Sequence, residues 1–91
     1  MEFQSEEHRI FARDQEGNVI AEVTFPEVSE GTAVMDHTFV DDALRGQGVA
    51  GELVEAAAKQ LGEKGMKVIP TCSYAVRWFQ KHPEYQKLLK S

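Results

Sequence analysis

Asp41-Asp42-Ala43-Leu44-Arg45-Gly46-Gln47-Gly48, followed by Val49-Ala50, is where the spacing of apolar residues changes, and its reading decides the fold. From Ala50 onward, Ala50, Leu53, Val54, Ala57 and Leu61 share one helical face, and Glu52, Glu55, Lys59 and Glu63 occupy the rest. Glu55 and Lys59 form a favourable i,i+4 pair, and Gly62 and Gly65 end the helix near Lys64. Upstream, between Glu7 and Phe39, apolar residues recur with period two, interrupted by Asp14-Gln15-Glu16-Gly17-Asn18 and by Ser29-Glu30-Gly31. This predicts a three-stranded antiparallel meander whose second strand points Val19, Ala21, Val23 and Phe25 one way and Ile20, Glu22 and Thr24 the other. Pro26 ends its regular pairing.

Beyond the helix, Lys67-Val68-Ile69-Pro70-Thr71-Cys72 reads as a fourth strand. A helical crossover joins it to the third strand, so the two are expected to lie parallel. Ser73 suits the N-cap of a last helix running to about Lys81, where His82-Pro83 stops it. The class is α+β, with 1–91 as a single domain. Ninety-one residues leave room for one core, one sheet and two helices.

A hydrophobic fraction of 42% beside 27% charged residues is that of an ordinary globular chain. The net charge of −5 argues against a general nucleic-acid binder and slightly favours a cationic substrate such as an amine. Arg77, Lys81, Lys87 and Lys90 make the C-terminal stretch locally basic, which reads as a solvated tail. The lone Cys72 has no partner for an internal disulfide, and Met1-Glu2-Phe3 opens without a basic region and apolar stretch. The expected location is cytoplasmic. No apolar run approaches the roughly 20 residues needed to span a bilayer, so no membrane association is expected.

The turn from strand to helix suits a phosphate. A helix N-terminus exposes amides without intrahelical partners, glycines let backbone approach a ligand closely, and Arg45 brings a donor fork matched to phosphate oxygens. The competing reading is that Gly46 and Gly48 merely shape a tight loop. The turn lacks the Lys-Ser/Thr ending of a P-loop and the later acidic residue of a dinucleotide fold, so both of those readings fall away.

Arg45-Gly46-Gln47-Gly48-Val49-Ala50 resembles the Arg/Gln-x-x-Gly-x-Gly/Ala signature of the GNAT superfamily of N-acetyltransferases. Val40 through Tyr85, with Pro70-Thr71-Cys72-Ser73 and His82-Pro83-Glu84-Tyr85, is similar to the minimal YjdJ-type GNAT-like subfamily, which lacks the usual N-terminal helices. The resemblance implies a minimal GNAT-like fold that takes acetyl-coenzyme A. Backbone amides of Arg45, Gly46, Gln47, Gly48, Val49 and Ala50 would cradle its pyrophosphate, and the pantetheine arm would enter where the parallel strands splay. Pro70, which removes a ladder donor, fits such a splay or a simple edge strand.

Acetyl transfer to an amine needs a base, an oxyanion donor and a proton for the departing thiolate. The resemblance implies that backbone amides of the third strand hold the thioester oxygen. His37 is the first candidate base, although its alternation with Met35 and Phe39 favours the reading of a half-buried structural histidine bonded to a neighbour. Asp36 points to the opposite face and is a second candidate. Cys72, beside the start of the last helix, could protonate the thiolate or carry the acetyl group, or could simply be a small buried hydrophobe. Many family members place a tyrosine in the last helix, where this chain has Val76-Arg77-Trp78-Phe79, which leaves Tyr74 and Tyr85 as hydroxyl donors. The missing hydroxyl and the missing helices also fit a non-catalytic acyl-coenzyme A binding module acting with a partner protein. No metal ligand set is expected, and the chain is expected to be a monomer or a weak homodimer.

Overall fold

The computed structural model describes residues 1–90. Its strands are β1 (Gln4–Glu6), β2 (Arg9–Arg13), β3 (Val19–Thr24), β4 (Glu27–Ser29), β5 (Thr32–Met35), β6 (His37–Val40) and β7 (Lys67–Pro70). The helices are α1 (Val49–Glu63) and α2 (Ser73–Lys81), with short 3-10 segments at Asp42–Leu44 and Pro83–Leu88. One sheet has the order β1-β2-β3-β6 and the other β4-β5-β7.

The hairpin between β2 and β3 forms where the sequence places its turn. The Asp14 carboxylate accepts the amides of Asn18 and Glu16, each at 2.9 Å, and Gly17 takes φ 90. Those bonds, the Asn18 amide foremost, hold the Asp14 carboxyl below the usual carboxylate range.

The expected third strand is not one strand. It breaks at Asp36, whose amide reaches the Thr24 carbonyl at 3.3 Å, so that β5 pairs with β4 and β7 while β6 pairs with β3. One residue is extra, as in a β-bulge. The core-facing parity therefore passes from Ala33 and Met35, both fully buried, to Thr38 and Val40, which sit opposite Val23 and Ala21. His37 and Phe39 are turned outward instead. The reading that aligned His37 with Met35 is corrected by this bulge.

β7 runs parallel to β5, as expected, with Met35 opposite Pro70. The strand stops two residues early, and the amides of Thr71 and Cys72 converge on the Met35 carbonyl at 3.0 and 3.4 Å. Bonds alternate along β7: the Lys67 and Thr71 amides point to β5, whereas the Val68 carbonyl accepts the Lys90 amide on the other side. Pro70 shares that outer side, so its missing N–H costs β5 nothing. The partner exchange at Asp36 opens the splay, and Pro70 does not.

α1 lays Val49, Leu53, Val54, Ala57, Ala58 and Leu61 on the sheets, where Ile10, Ala12, Ala21, Val23 and Phe25 complete the core. α2 adds Ala75, Trp78 and Phe79. Its N-cap is Cys72, not Ser73. The basic C-terminus is more than a solvated tail: Leu88 and Leu89 pack on the core, Leu89 bridges to Val68, and the Lys67 ammonium donates to the Lys87 carbonyl at 2.8 Å.

Among the described residues, no helix lies over the outer face of the four-stranded sheet. Phe11 is nevertheless buried, covered by the Arg9 guanidinium 3.8 Å from its centroid and that of Arg13 at 5.0 Å. Arg9 also donates to Glu22. No helix among the described residues is long and apolar enough to cross a membrane.

Candidate functional site

The Asp41 carboxylate accepts the Ala43 amide at 2.9 Å and starts the 3-10 turn that leads out of β6. Arg45 is extended, and Gly46 and Gly48 take φ 83 and φ 77, a left-handed conformation that disfavours any residue with a Cβ. Gly48 is the N-cap of α1 and supplies no side-chain bond to the helix. The amides of Gly46, Gly48 and the first turn of α1 have no backbone acceptor among the described residues. Five such donors in one short stretch at the positive end of a helix dipole are chemically suited to an anion.

The Arg45 guanidinium is held 2.9 Å from Asp42, and both side chains are largely exposed. The pair is weak by position, so the guanidinium is free to exchange its carboxylate for a phosphate.

A cleft of about 430 Å³ runs from this loop toward the splay. Arg45, Gly46, Gly48, Val49 and Ala50 line one end; Thr38, Val40, Leu44 and Tyr74 line the other. Gln47, expected in the cradle, is not among the lining residues. The Asp41 amide donates to Ile20 at 2.8 Å, which places the odd-numbered amides of this strand toward β3. Those of Thr38 and Val40 therefore face away from β3, into the opening.

Cys72 stands at the far side of that opening. Its half-buried sulfur accepts the Ala75 amide at 3.4 Å and shares a hydrogen bond of 3.4 Å with the Thr38 hydroxyl. Thr38 thus links Cys72 to the cleft, a connection hidden in the sequence because only the bulge turns Thr38 inward. His37 lies on the opposite face, more than half exposed, with Nε2 3.7 Å from Glu22. Asp36 is exposed and accepts the Thr24 hydroxyl at 2.6 Å. The two expected catalytic residues are therefore not brought together; they flank β6 from its two faces.

The aromatic residues separate clearly. Phe79 is buried in the core, so its missing hydroxyl has no bearing on the cleft. The cleft-facing aromatic of α2 is Tyr74, whose hydroxyl lies close to Gly51 in the first turn of α1: a Cβ there would be 3.4 Å away. Tyr85 instead donates to Glu55 at 3.2 Å, and burial, followed by the Glu55 charge, raises its phenol above the ordinary value. No group of three His, Cys, Asp or Glu side chains among the described residues is arranged to hold a metal ion.

A family model described as GCN5-related N-acetyl-transferase matches residues 9–88. The chain belongs to this family. Protein NATD1 of Xenopus tropicalis is 36% identical over 61 residues, which is 67% of this chain and 56% of NATD1. The chain thus spans little more than half the length of that curated relative. A GCN5-like protein from Staphylococcus aureus, solved in solution, is similar with a TM-score of 0.81 at 33% identity, over 99% of this chain and 88% of that one. YhbS of Escherichia coli, a GNAT family N-acetyltransferase solved in complex with CoA, has a TM-score of 0.63 at 31% identity, over 76% of this chain and 42% of YhbS. The α+β, GNAT-like architecture expected from the glycine turn is the one this acetyltransferase family adopts, here with its sheet divided at Asp36.

Proposed function

We propose that the protein takes acetyl-coenzyme A into the cleft between β6 and β7 and transfers the acetyl group to an amine. The observation that carries this reading is the loop Arg45–Ala50: two left-handed glycines, an uncapped helix N-terminus and an arginine held only by an exposed carboxylate. The pyrophosphate sits on the free amides with Arg45 closing over it. The pantetheine arm follows Val40 and Thr38, whose inward-facing backbone groups can pair with its amides and with the thioester oxygen. That E. coli YhbS is a CoA complex of similar fold supports the same ligand here.

In the reaction the amine nitrogen attacks the thioester carbon, the carbon–sulfur bond breaks, the amine loses a proton and the coenzyme A thiolate gains one. His37 is the proposed base, acting from the uncovered face of β6 with Glu22 beside it. Cys72, bonded to Thr38, is the proposed partner of the thiolate: it either supplies the proton or accepts the acetyl group before the amine does. Tyr74 is a second hydroxyl within the cleft. With Phe79 in the core, the lack of a hydroxyl at that position no longer favours a purely binding module. The acceptor is an amine of a small molecule or a protein.

Calorimetric titration with acetyl-coenzyme A tests the reading. Binding weakened about tenfold by Arg45→Ala, the loss of a charge-assisted phosphate contact, is expected. Unchanged affinity in that variant removes the cradle assignment.

A further inference from the structure

α2 carries a second groove beside the first. Tyr74, Arg77, Trp78, Lys81 and His82 enclose about 360 Å³, and Tyr74 lines both this groove and the cleft. The first four are spaced i, i+3, i+4 and i+7, so they form one stripe along the helix. At about 1.5 Å per residue, Arg77 lies about 4.5 Å and Lys81 about 10.5 Å beyond Tyr74 along the axis. Trp78 and His82 stack with centroids 4.0 Å apart and planes 15° apart, and a bond of 2.7 Å donated by His82 Nδ1 to the Trp78 carbonyl fixes that pair.

The charges here call for an explanation. In a chain with a net charge of −5, Arg77 and Lys81 project from one helix face with no carboxylate in ion-pair range among the described residues. Lys81 lies in the last turn of α2, where the helix dipole favours a cation. Arg77 is mid-helix and gains nothing from that. The two cations flank a flat ring pair, next to a loop that already suits a pyrophosphate. Such an arrangement matches a nucleotide bearing a further phosphate: a base against His82, the accessible member of a stack that Trp78 anchors in the core, and a monoester dianion between the guanidinium and the ammonium.

We propose that the groove on α2 is the nucleotide subsite of the acyl carrier substrate, and that Arg77 and Lys81 select for the ribose 3′-phosphate that distinguishes coenzyme A from dephospho-coenzyme A. The proposal rests on the reading that the cleft binds coenzyme A and adds to it a source of specificity. A carrier thioester without that phosphate loses both contacts and is discriminated against. Because the two cations are exposed, the selectivity is salt-sensitive.

The experiment is a calorimetric titration of the full chain with coenzyme A and with dephospho-coenzyme A, at low and at elevated ionic strength, for the wild type, Arg77→Ala, Lys81→Ala and the double variant. Both side chains are exposed, and thermal unfolding checks that the fold is kept. The wild type is expected to prefer coenzyme A about tenfold at low salt, from one or two charge-assisted contacts. The double variant should bring coenzyme A down to the affinity of the dephospho form and leave the latter unchanged. Equal affinity of the wild type for the two ligands overturns the proposal, as does a double variant that weakens both equally. Both of those results leave the cleft reading intact. If neither ligand binds at all, the cleft reading fails together with the subsite.

Discussion

Gly48→Ala separates the conformational demand of the loop from mere small size. At φ 77 an L-residue is strained by roughly 1–2 kcal/mol, while the methyl group itself meets nothing within 4 Å. Alanine also restricts the unfolded chain, which returns about 0.4–1 kcal/mol. The net expectation is a loss of about 1 kcal/mol, which for a domain of this size lowers Tm by about 4–8 °C. Relief of the strain rotates the loop peptides and misdirects one or two of the free amides. Losing one such bond to a charged phosphate, at about 1.5–3 kcal/mol, weakens coenzyme A roughly ten- to a hundredfold. The control is Gly51→Ala, in the same stretch but with helical backbone, where the new methyl makes only an ordinary 3.4 Å contact with the Tyr74 hydroxyl. It should be neutral or up to about 1 kcal/mol more stable. Circular dichroism melts and calorimetric titration read both quantities. A Gly48→Ala protein that melts and binds like the wild type refutes the claim that left-handed backbone builds the cradle.

Cys72→Ser retains an acceptor for the Ala75 amide and should hold its denaturant midpoint, whereas Cys72→Ala should lose about 0.5–1 kcal/mol with the cap. Intact mass after incubation with acetyl-coenzyme A tests the chemistry separately: an acetyl adduct on the wild type that persists in Cys72→Ala, which has no nucleophile at that position, excludes Cys72 as its carrier. Tyr85→Phe removes the bond to Glu55 and should cost about 1 kcal/mol at neutral pH. Since the folded-state phenol is raised above 10.0, its contribution is complete below that pH and is lost as the pH climbs through the raised value. Urea midpoints from pH 8 to 11 should therefore decline less steeply in the variant, and an identical decline dissociates Tyr85 from the effect. Arg9→Ala should destabilise more than Arg13→Ala, because Arg9 is nearer the Phe11 ring and also pairs with the half-buried Glu22. Equal midpoints for the two contradict that ranking.

Much of this architecture is legible in local pattern. α1, β3, the start of β7 and α2 follow from periodicity and stop signals, because each depends on residues close in sequence. The left-handed glycine loop that we propose as the cradle is legible for the same reason: glycine and a helix start are local facts. Thr38 is different. Its inward orientation follows from the chain bulging at Asp36 rather than alternating through it, and a strand with a bulge reads the same as one without until its partners are known. The role of Cys72 as the cap of α2 required knowing that β7 ends at Pro70. The C-terminal stretch looked solvated because its charges are obvious, while the pairing of Leu89 with Val68 is a long-range event with no local mark. Phe11 fell on the polar phase of its strand, and its burial comes from two arginines rather than from a packed layer.

The single extra residue at Asp36 acts as a counting error built into the chain. On one side of it the backbone spends its hydrogen bonds on β7, and on the other it withholds them. A deletion that restored the count would let β5 and β6 run on as one strand, with Thr38 and Val40 still on the face of Ala33 and Met35, and would allow the two halves of the sheet to close. The result would be a tidier fold with no doorway. The irregularity is therefore what holds the cleft beside β6 open, and a ninety-one-residue chain obtains it without adding a loop or another helix.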